Sequence, residues 1–167
     1  MKLPTRIDSF SGSWGVLSNF TPCEVLLADD GVTYPSVEHA YQAAKTLDLG
    51  KRLKFVLNGI TPGMAKQMGK KLKLRPDWEE VKIGVMRDLL MQKFSPSIPK
   101  RKLLSTFQAV LIEGNHWHDN YWGNCSCELC AGTEGENMLG KLLMEVRQHY
   151  GHGGTYESFR AAAGGRS

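Results

Sequence analysis

Residues 34 to 45, YPSVEHAYQAAK, place a glutamate, a histidine, a glutamine and a lysine in one short and otherwise apolar run. On a helix Glu38, Gln42 and Lys45 are spaced i, i+4 and i+7 and share a face, while Tyr41 and Ala44 belong to the neighbouring one. A carboxylate aligned with an ammonium has two readings. One is a surface pair that supports the helix by roughly a few tenths of a kcal/mol. The other is one edge of an active site.

A second polar concentration runs from His116 to Gly123 and offers Asp119 beside Tyr121 and Trp122, in a segment too irregular for core. Two carboxylates from distant parts of the chain, with aromatic faces, suit cleavage of a glycosidic bond. One negative charge steadies an oxocarbenium-like carbon while an acid or base handles the leaving group or water. Asp119 taken alone is equally a turn or cap residue. The third cluster is Cys125, Cys127 and Cys130, with His116 and His118 just upstream and Cys23 far away. In a reducing compartment three cysteines within six positions read as a structural zinc site or as free thiols before a disulfide, and zinc needs a fourth ligand from Cys23 or one of the histidines. No pattern here marks a catalytic cysteine. GTEGENMLG lacks the G-x-G-x-x-G order and a preceding strand, which excludes a Rossmann or P-loop reading. Residues 135 to 139 nevertheless open a helix, whose N-terminus could hold a phosphate.

Those residues must be positioned by a modest set of elements. CEVLLADDGVTYPS predicts two short strands around an Asp-Asp-Gly turn. Ser36 can N-cap a helix over 37–48, in which Val37, Ala40, Tyr41, Ala44 and Leu47 recur at helical spacing. A short basic helix is expected over 63–72. Asp77 with Glu80 has the form of a capping box opening WEEVKIGVMRDLLMQKF, with Val81, Val85, Leu89 and Phe94 as its apolar stripe. LLSTF reads as a helix end, QAVLIEG as a short strand, the His- and Cys-rich stretch after it as a loop, and MLGKLLMEVRQHY as a helix.

With 167 residues the chain fits one domain, taken here as residues 1–150, followed by a Gly/Ala-rich tail over 151–167 that is expected to be loosely ordered. Its 41% hydrophobic and 23% charged content argues against disorder and against a fibrous class. No apolar run approaches the roughly 20 residues that span a bilayer, and MKLPTRIDSF has no apolar core of a signal peptide, so a cytoplasmic protein without a membrane partner is expected. The net charge of +4, concentrated between Lys66 and Lys102, suits a solvated basic face or a phosphate-bearing partner.

WGVLSNF (14–20), YPSVEHAYQAAK (34–45), DWEEVKIGVM (77–86), DNYWG (119–123) and GENMLGKLLMEVR (135–147) together resemble the NADAR domain proteins, also called YbiA-like, in order and over nearly all of residues 10 to 148. The resemblance implies a small α+β domain, mostly helical with a small sheet, that cleaves N-glycosidic bonds between a base or amine and a phosphorylated ribose. It implies Glu38, Trp78 and Asp119 as functional positions, with Lys45 in a matching motif and expected at the pocket. Trp14, Asn19, Phe20, His39, Gln42, Tyr121, Trp122, Gly123, Asn137 and Gly140 fall in or beside matching motifs and are expected to line the pocket. Two mechanisms fit. Glu38 and Asp119 divide acid, base and electrostatic duties, or Lys45 attacks the anomeric carbon and opens the sugar to a Schiff base while a carboxylate shuttles protons. No cofactor is required for either.

Two substrates share that chemistry: ADP-ribose on guanine in nucleic acid, where an ADP-ribosyltransferase toxin encoded nearby would be the counterpart, and ribosylamino-pyrimidine phosphates of riboflavin synthesis. A non-catalytic reader of ADP-ribose or NAD and a zinc-stapled interaction domain are the alternatives from other classes.

Overall fold

The computed structural model describes residues 3–164. Its elements run in chain order as β1 (Arg6–Ile7), a 3-10 turn (Gly12–Leu17), β2 (Pro22–Leu26), β3 (Thr33–Ser36), α1 (Val37–Ala43), α2 (Leu49–Leu53), a 3-10 turn (Lys54–Val56), α3 (Pro62–Lys70), α4 (Trp78–Lys93), α5 (Ser97–Leu104), β4 (Val110–Leu111), β5 (Gly114–Asn115), β6 (Asn124–Cys125), a 3-10 turn (Glu128–Cys130), α6 (Met138–Gly151) and α7 (Tyr156–Gly164). The class is α+β with helices dominant. The strands pair as β1 with β4, β2 with β3 and β5 with β6, giving three small ladders among the described residues in place of one sheet. Asn19–Lys93 forms one compact unit, and the segments before and after it form a second.

In the Asn19–Lys93 unit the β2–β3 hairpin is antiparallel and turns at the expected Asp-Asp-Gly, with Gly31 at φ +68° donating its N–H to the Leu27 carbonyl at 3.0 Å. Ser36 caps α1 as expected, its hydroxyl accepting from the His39 N–H. The helix stops at Ala43, short of the predicted 48. Lys45 and Thr46 donate back to the Gln42 and Ala43 carbonyls in a tightened turn, and the Asp48 carboxylate accepts from the Lys51 N–H to start α2. The second cap competes with continuation of the first helix, and Leu47, placed in the apolar stripe by spacing, ends 61% exposed.

The break is held from below by charge. Arg52, 3% exposed, donates from Nε to the Thr46 carbonyl at 2.6 Å, from both terminal nitrogens to Asp29 at 2.9 Å, and from Nη1 to Asp30 at 3.0 Å. The Asp29 carboxyl is held below the usual carboxylate range, chiefly by the hydrogen bonds from Arg52. Tyr34 donates its hydroxyl to Asp30 from a buried position.

Thr61 caps α3, with Pro62 in its first turn. At the start of α4 the Asp77 carboxylate is held by Arg75 at 2.6 and 2.8 Å, while its backbone carbonyl accepts from Glu80 and Val81. The buried face of α4 is Trp78, Met86, Leu89, Leu90, Met91 and Lys93, whereas the predicted stripe residues Val81 and Val85 are half-buried. Packing of α4 against both α1 and β2 shifts the covered face from the one spacing suggested.

In the other unit β1 runs parallel to β4 and β5 parallel to β6. Helices α5 and α6 pack together, and α6 lies on β4 through Leu139, Leu142, Leu143 and Val146. Arg147 donates to the Thr106 hydroxyl and the Ala109 carbonyl, which ties the end of α5 to α6. The tail predicted to be loosely ordered carries a helix, α7, whose start is fixed by reciprocal bonds between Thr155 and Ser158 and by the His149 ring on Phe159. No helix among the described residues is long and apolar enough to cross a membrane.

Candidate active site

Every residue of α1 is buried, an uncommon fate for a seven-residue segment that carries Glu, His and Gln. The hairpin, α3 and α4 all pack on it, so its polar side chains meet protein and not bulk water. Glu38, 6% exposed, accepts from Gln42 Nε2 at 2.8 Å, and its backbone N–H donates to the Asn19 carbonyl at 3.1 Å. The i, i+4 pairing expected from spacing is therefore present, but inside the protein and not on a solvated face. With Nε2 aimed at Glu38, Gln42 Oε1 points the other way, against Gly69 of α3. It has no hydrogen-bond partner, and neither has Asn19 Oδ1. The other half of the Asn19 amide makes only a 3.5 Å contact with Met86 Sδ. Two buried acceptors without donors, one of them on the side chain that holds Glu38, are the kind of exception that a hydroxyl- or amine-bearing ligand would satisfy.

His39 is settled differently. Its Nε2 lies 3.0 Å from the Ile60 carbonyl, which can only accept, so this nitrogen carries the proton. Its Nδ1 then accepts from the Ser36 hydroxyl at 2.7 Å. Both ring nitrogens are engaged, and the 2% exposed imidazole bolts the start of α1 to the turn before α3. Lys45, half-buried just past the helix, brings Nζ to 5.7 Å from the centre of the Tyr41 ring, which packs on Trp78 at 5.1 Å. Glu38, Gln42, Tyr41, Lys45, Trp78 and Asn19 thus gather around one short helix. Phe20 is 42% exposed.

In the other unit the motif residues form a loop that is held by its own polar groups. Asn115, 2% exposed, donates to the Asp119 carbonyl at 2.7 Å and accepts from the Trp117 and Asp119 N–H groups. Asp119 Oδ1 accepts from the Trp122 N–H at 2.9 Å, a turn-capping role. The Tyr121 and Trp122 rings stand edge to face at 5.1 Å. Trp14, in the Gly12–Leu17 turn, carries Lys102 Nζ 4.3 Å from its ring centre.

At the start of α6, suggested by position as a phosphate site, the N–H groups of Asn137, Met138 and Leu139 donate to the carbonyls of Gly123, Tyr121 and Trp122 at 3.0 to 3.2 Å, so these three donors are engaged within the protein. Asn137 and Gly140 hold the backbone together. Asn137, in the left-handed region at φ +51°, donates to the Leu111 carbonyl at 2.8 Å and accepts from the Glu113 N–H at 3.0 Å. A Cβ on Gly140 would stand 2.1 Å from the Leu111 oxygen, and one on Gly123 2.2 Å from the Glu113 oxygen. A cavity of about 750 Å³ near the α5 and α6 ends is lined by Phe107, Lys141, Met144 and others; it includes α6 motif residues but none of the candidate site residues.

Sequence reasoning missed Gly69, Arg52 and Asn115. Gly69 had no local signal, because its meaning lies in contact with Gln42, 27 positions away. Arg52 could have been suspected only as a partner for the Asp-Asp turn.

Comparison with known proteins bears on this arrangement directly. The NADAR domain family model matches residues 9–150, through both compact units. The chain belongs to the NADAR domain family. Among its relatives is the N-glycosidase YbiA of Escherichia coli strain K12, 38% identical over 143 residues that cover 84% of each protein. The maize (Zea mays) riboflavin biosynthesis protein PYRR, chloroplastic, is 37% identical over 164 residues; these cover 86% of this chain but only 25% of the maize protein. Among solved structures, the NMR structure of the E. coli protein YbiA is similar with a TM-score of 0.72 at 35% identity, over 90% of this chain and 88% of that one. This NADAR chain therefore shares its fold with a protein named as an N-glycosidase, and it carries the buried Glu38 within that fold.

Proposed function

We propose that this NADAR chain is an N-glycosidase that hydrolyses the bond between a base or amine and a phosphorylated ribose. The observation that carries the proposal is the buried Glu38 carboxylate held by Gln42, with donor-less acceptors on Gln42 and Asn19 and the Lys45 amine beyond the same short helix. The donor-less acceptors suit hydroxyl donors of a sugar, and the Lys45 amine lies near the Tyr41 ring that packs on Trp78.

Of the two mechanisms, the engagement of Asp119 with the Trp122 N–H favours the one that needs a single carboxylate. Lys45 Nζ, neutral, attacks the anomeric carbon as the bond to the leaving nitrogen breaks, and Glu38 passes the proton lost by Nζ to that nitrogen. Opening of the ring, with the remaining Nζ proton carried by Glu38 to the ring oxygen, leaves an imine on Lys45. Water adds to it with Glu38 as base, and release of the sugar restores the amine. The net change is one water consumed, with free base or amine and free phosphorylated ribose formed.

The substrate proposed is guanine-linked ADP-ribose in nucleic acid, reversed as an antitoxin would reverse a transferase; the +4 charge supports a phosphate-rich partner. The name of the maize relative supports a second reading, a ribosylamino-pyrimidine phosphate. The test is to incubate the protein with a guanine-ADP-ribosylated single-stranded oligonucleotide and, separately, with the pyrimidine, and to follow sugar release by mass spectrometry beside Glu38→Gln. Release by the wild type alone establishes the enzyme, and which substrate is cut decides between the two readings. Binding without turnover by both proteins on both substrates would replace the enzyme with a reader of ADP-ribose.

A further inference from the structure

We propose that the loop between β5 and α6 is a zinc site built from Cys125, Cys127, Cys130 and His118, with His118 as the ligand that the cysteine spacing left open. The His118, Cys127 and Cys130 ligand atoms lie within 4.8 Å of one another. His118 Nδ1 stands 3.0 Å from Cys130 Sγ and 3.8 Å from Cys127 Sγ. Zinc at about 2.3 Å from sulfur and 2.0–2.1 Å from nitrogen in a tetrahedron puts nitrogen and sulfur ligands about 3.5 Å apart, between those two values. Cys125 Sγ, beside the other two sulfurs, is the fourth ligand proposed. It accepts from the N–H groups of His118 and Cys127, backbone bonds that orient a ligating sulfur and support its charge. His118 reaches the cluster because its backbone is in the left-handed region at φ +64°, which turns the ring back toward residues 125 to 130. His116 instead meets the Ser126 hydroxyl, and Cys23 lies in β2 of the other unit.

Three sulfurs and one imidazole in a closed tetrahedral set select zinc, in a structural role with no open position. The surroundings supply the reason for a clamp. The loop exposes Trp117 and Leu129 at 58% and 84% and has little apolar packing of its own, yet it positions Asp119 and offers the carbonyls that receive the start of α6. Metal binding is a direct source of order for such a segment. The inference stands independently of the glycosidase reading.

The test is metal content of the intact protein, measured by mass spectrometry. One zinc per chain is expected in the wild type, in His116→Asn and in Cys23→Ser. In His118→Asn and Cys130→Ser zinc affinity falls at least tenfold. Should those two variants fail to fold, cobalt loaded into the wild type should give the visible absorption of tetrahedral thiolate coordination. On the wild type, a chelator should speed amide exchange in residues 113–137 and leave Asn19–Lys93 unchanged. Metal-free wild type with no cobalt spectrum, or full zinc retained by His118→Asn, overturns the proposal.

Discussion

Helix α1 and the loop over residues 113–137 are equally rich in polar side chains, and they handle them in opposite ways. In α1 the backbone is satisfied by the helix, its cap and the Asn19 carbonyl, and the packing is supplied by the hairpin, α3 and α4. His39 is engaged in architecture through both ring nitrogens, while Gln42 holds Glu38 with one half of its amide and keeps the other, Oε1, without a donor. In the loop only the short β5–β6 ladder and a 3-10 turn pair the backbone, and Asn115, Asp119, Asn120, Asn124 and Asn137 satisfy more of it with their side chains. A polar residue on a packed element is available for chemistry. The same residue in an irregular loop is more often a building part.

The largest effect that would break this contrast is on turnover. Glu38→Gln is expected to lower kcat by roughly 10²- to 10⁴-fold with little change in melting temperature, while Asp119→Asn, which keeps an acceptor for the Trp122 N–H, should cost less than tenfold (about 1.4 kcal/mol). Steady-state kinetics beside thermal melts checks both, and equal losses would return Asp119 to the chemistry. Next in size is Arg52→Met, which leaves the Asp30 carboxylate, 4% exposed, without its cation. A loss of about 3–5 kcal/mol in urea unfolding is expected, with kcat nearly unchanged in the fraction that remains folded.

Gly69→Ala sharpens the comparison from within α1. The added Cβ would lie 1.8 Å from Gln42 Oε1, so the amide must move away from its place beside Glu38. About 1–3 kcal/mol of stability should be lost, together with a fall in kcat/KM that an alanine at the exposed Gly59 would not produce. Asn137→Ala removes one donor and one acceptor bond from a left-handed position and should cost about 1–3 kcal/mol, with kcat preserved if the loop is architecture. The smallest effect is on pH. Because Asp29 has its pKa lowered in the folded state by Arg52, its contribution is full above the ordinary carboxylate pKa of about 3.9 and fades as pH falls through the folded value. Acid unfolding of Asp29→Asn should therefore be shallower than that of the wild type below about pH 4.

What could be read from the sequence follows the range of the interaction concerned. The hairpin turn, the Ser36 cap and the starts of α3 and α4 are decided within four residues, and they appear where spacing put them. The end of α1 was misjudged because the Asp48 cap, a local signal of equal strength, lay inside the predicted helix. The Glu38–Gln42 pair was legible as geometry. Its burial was not, because α3, α4 and the hairpin that cover it are distant in sequence. The bonds of His39 and Asn137 were not legible for the same reason, since the Ile60 and Leu111 carbonyls they bind lie 21 and 26 positions away.

The central claim is that α1 and the lysine just beyond it perform the cleavage, and borohydride trapping during turnover tests it most directly. Wild-type protein incubated with whichever substrate it cuts, then reduced and weighed intact, should gain the mass of the reduced sugar, mapped by peptide analysis to Lys45. Lys45→Arg should gain none and should not turn over. Full turnover by Lys45→Arg, or turnover by the wild type with no trapped adduct at any borohydride concentration, would contradict the account.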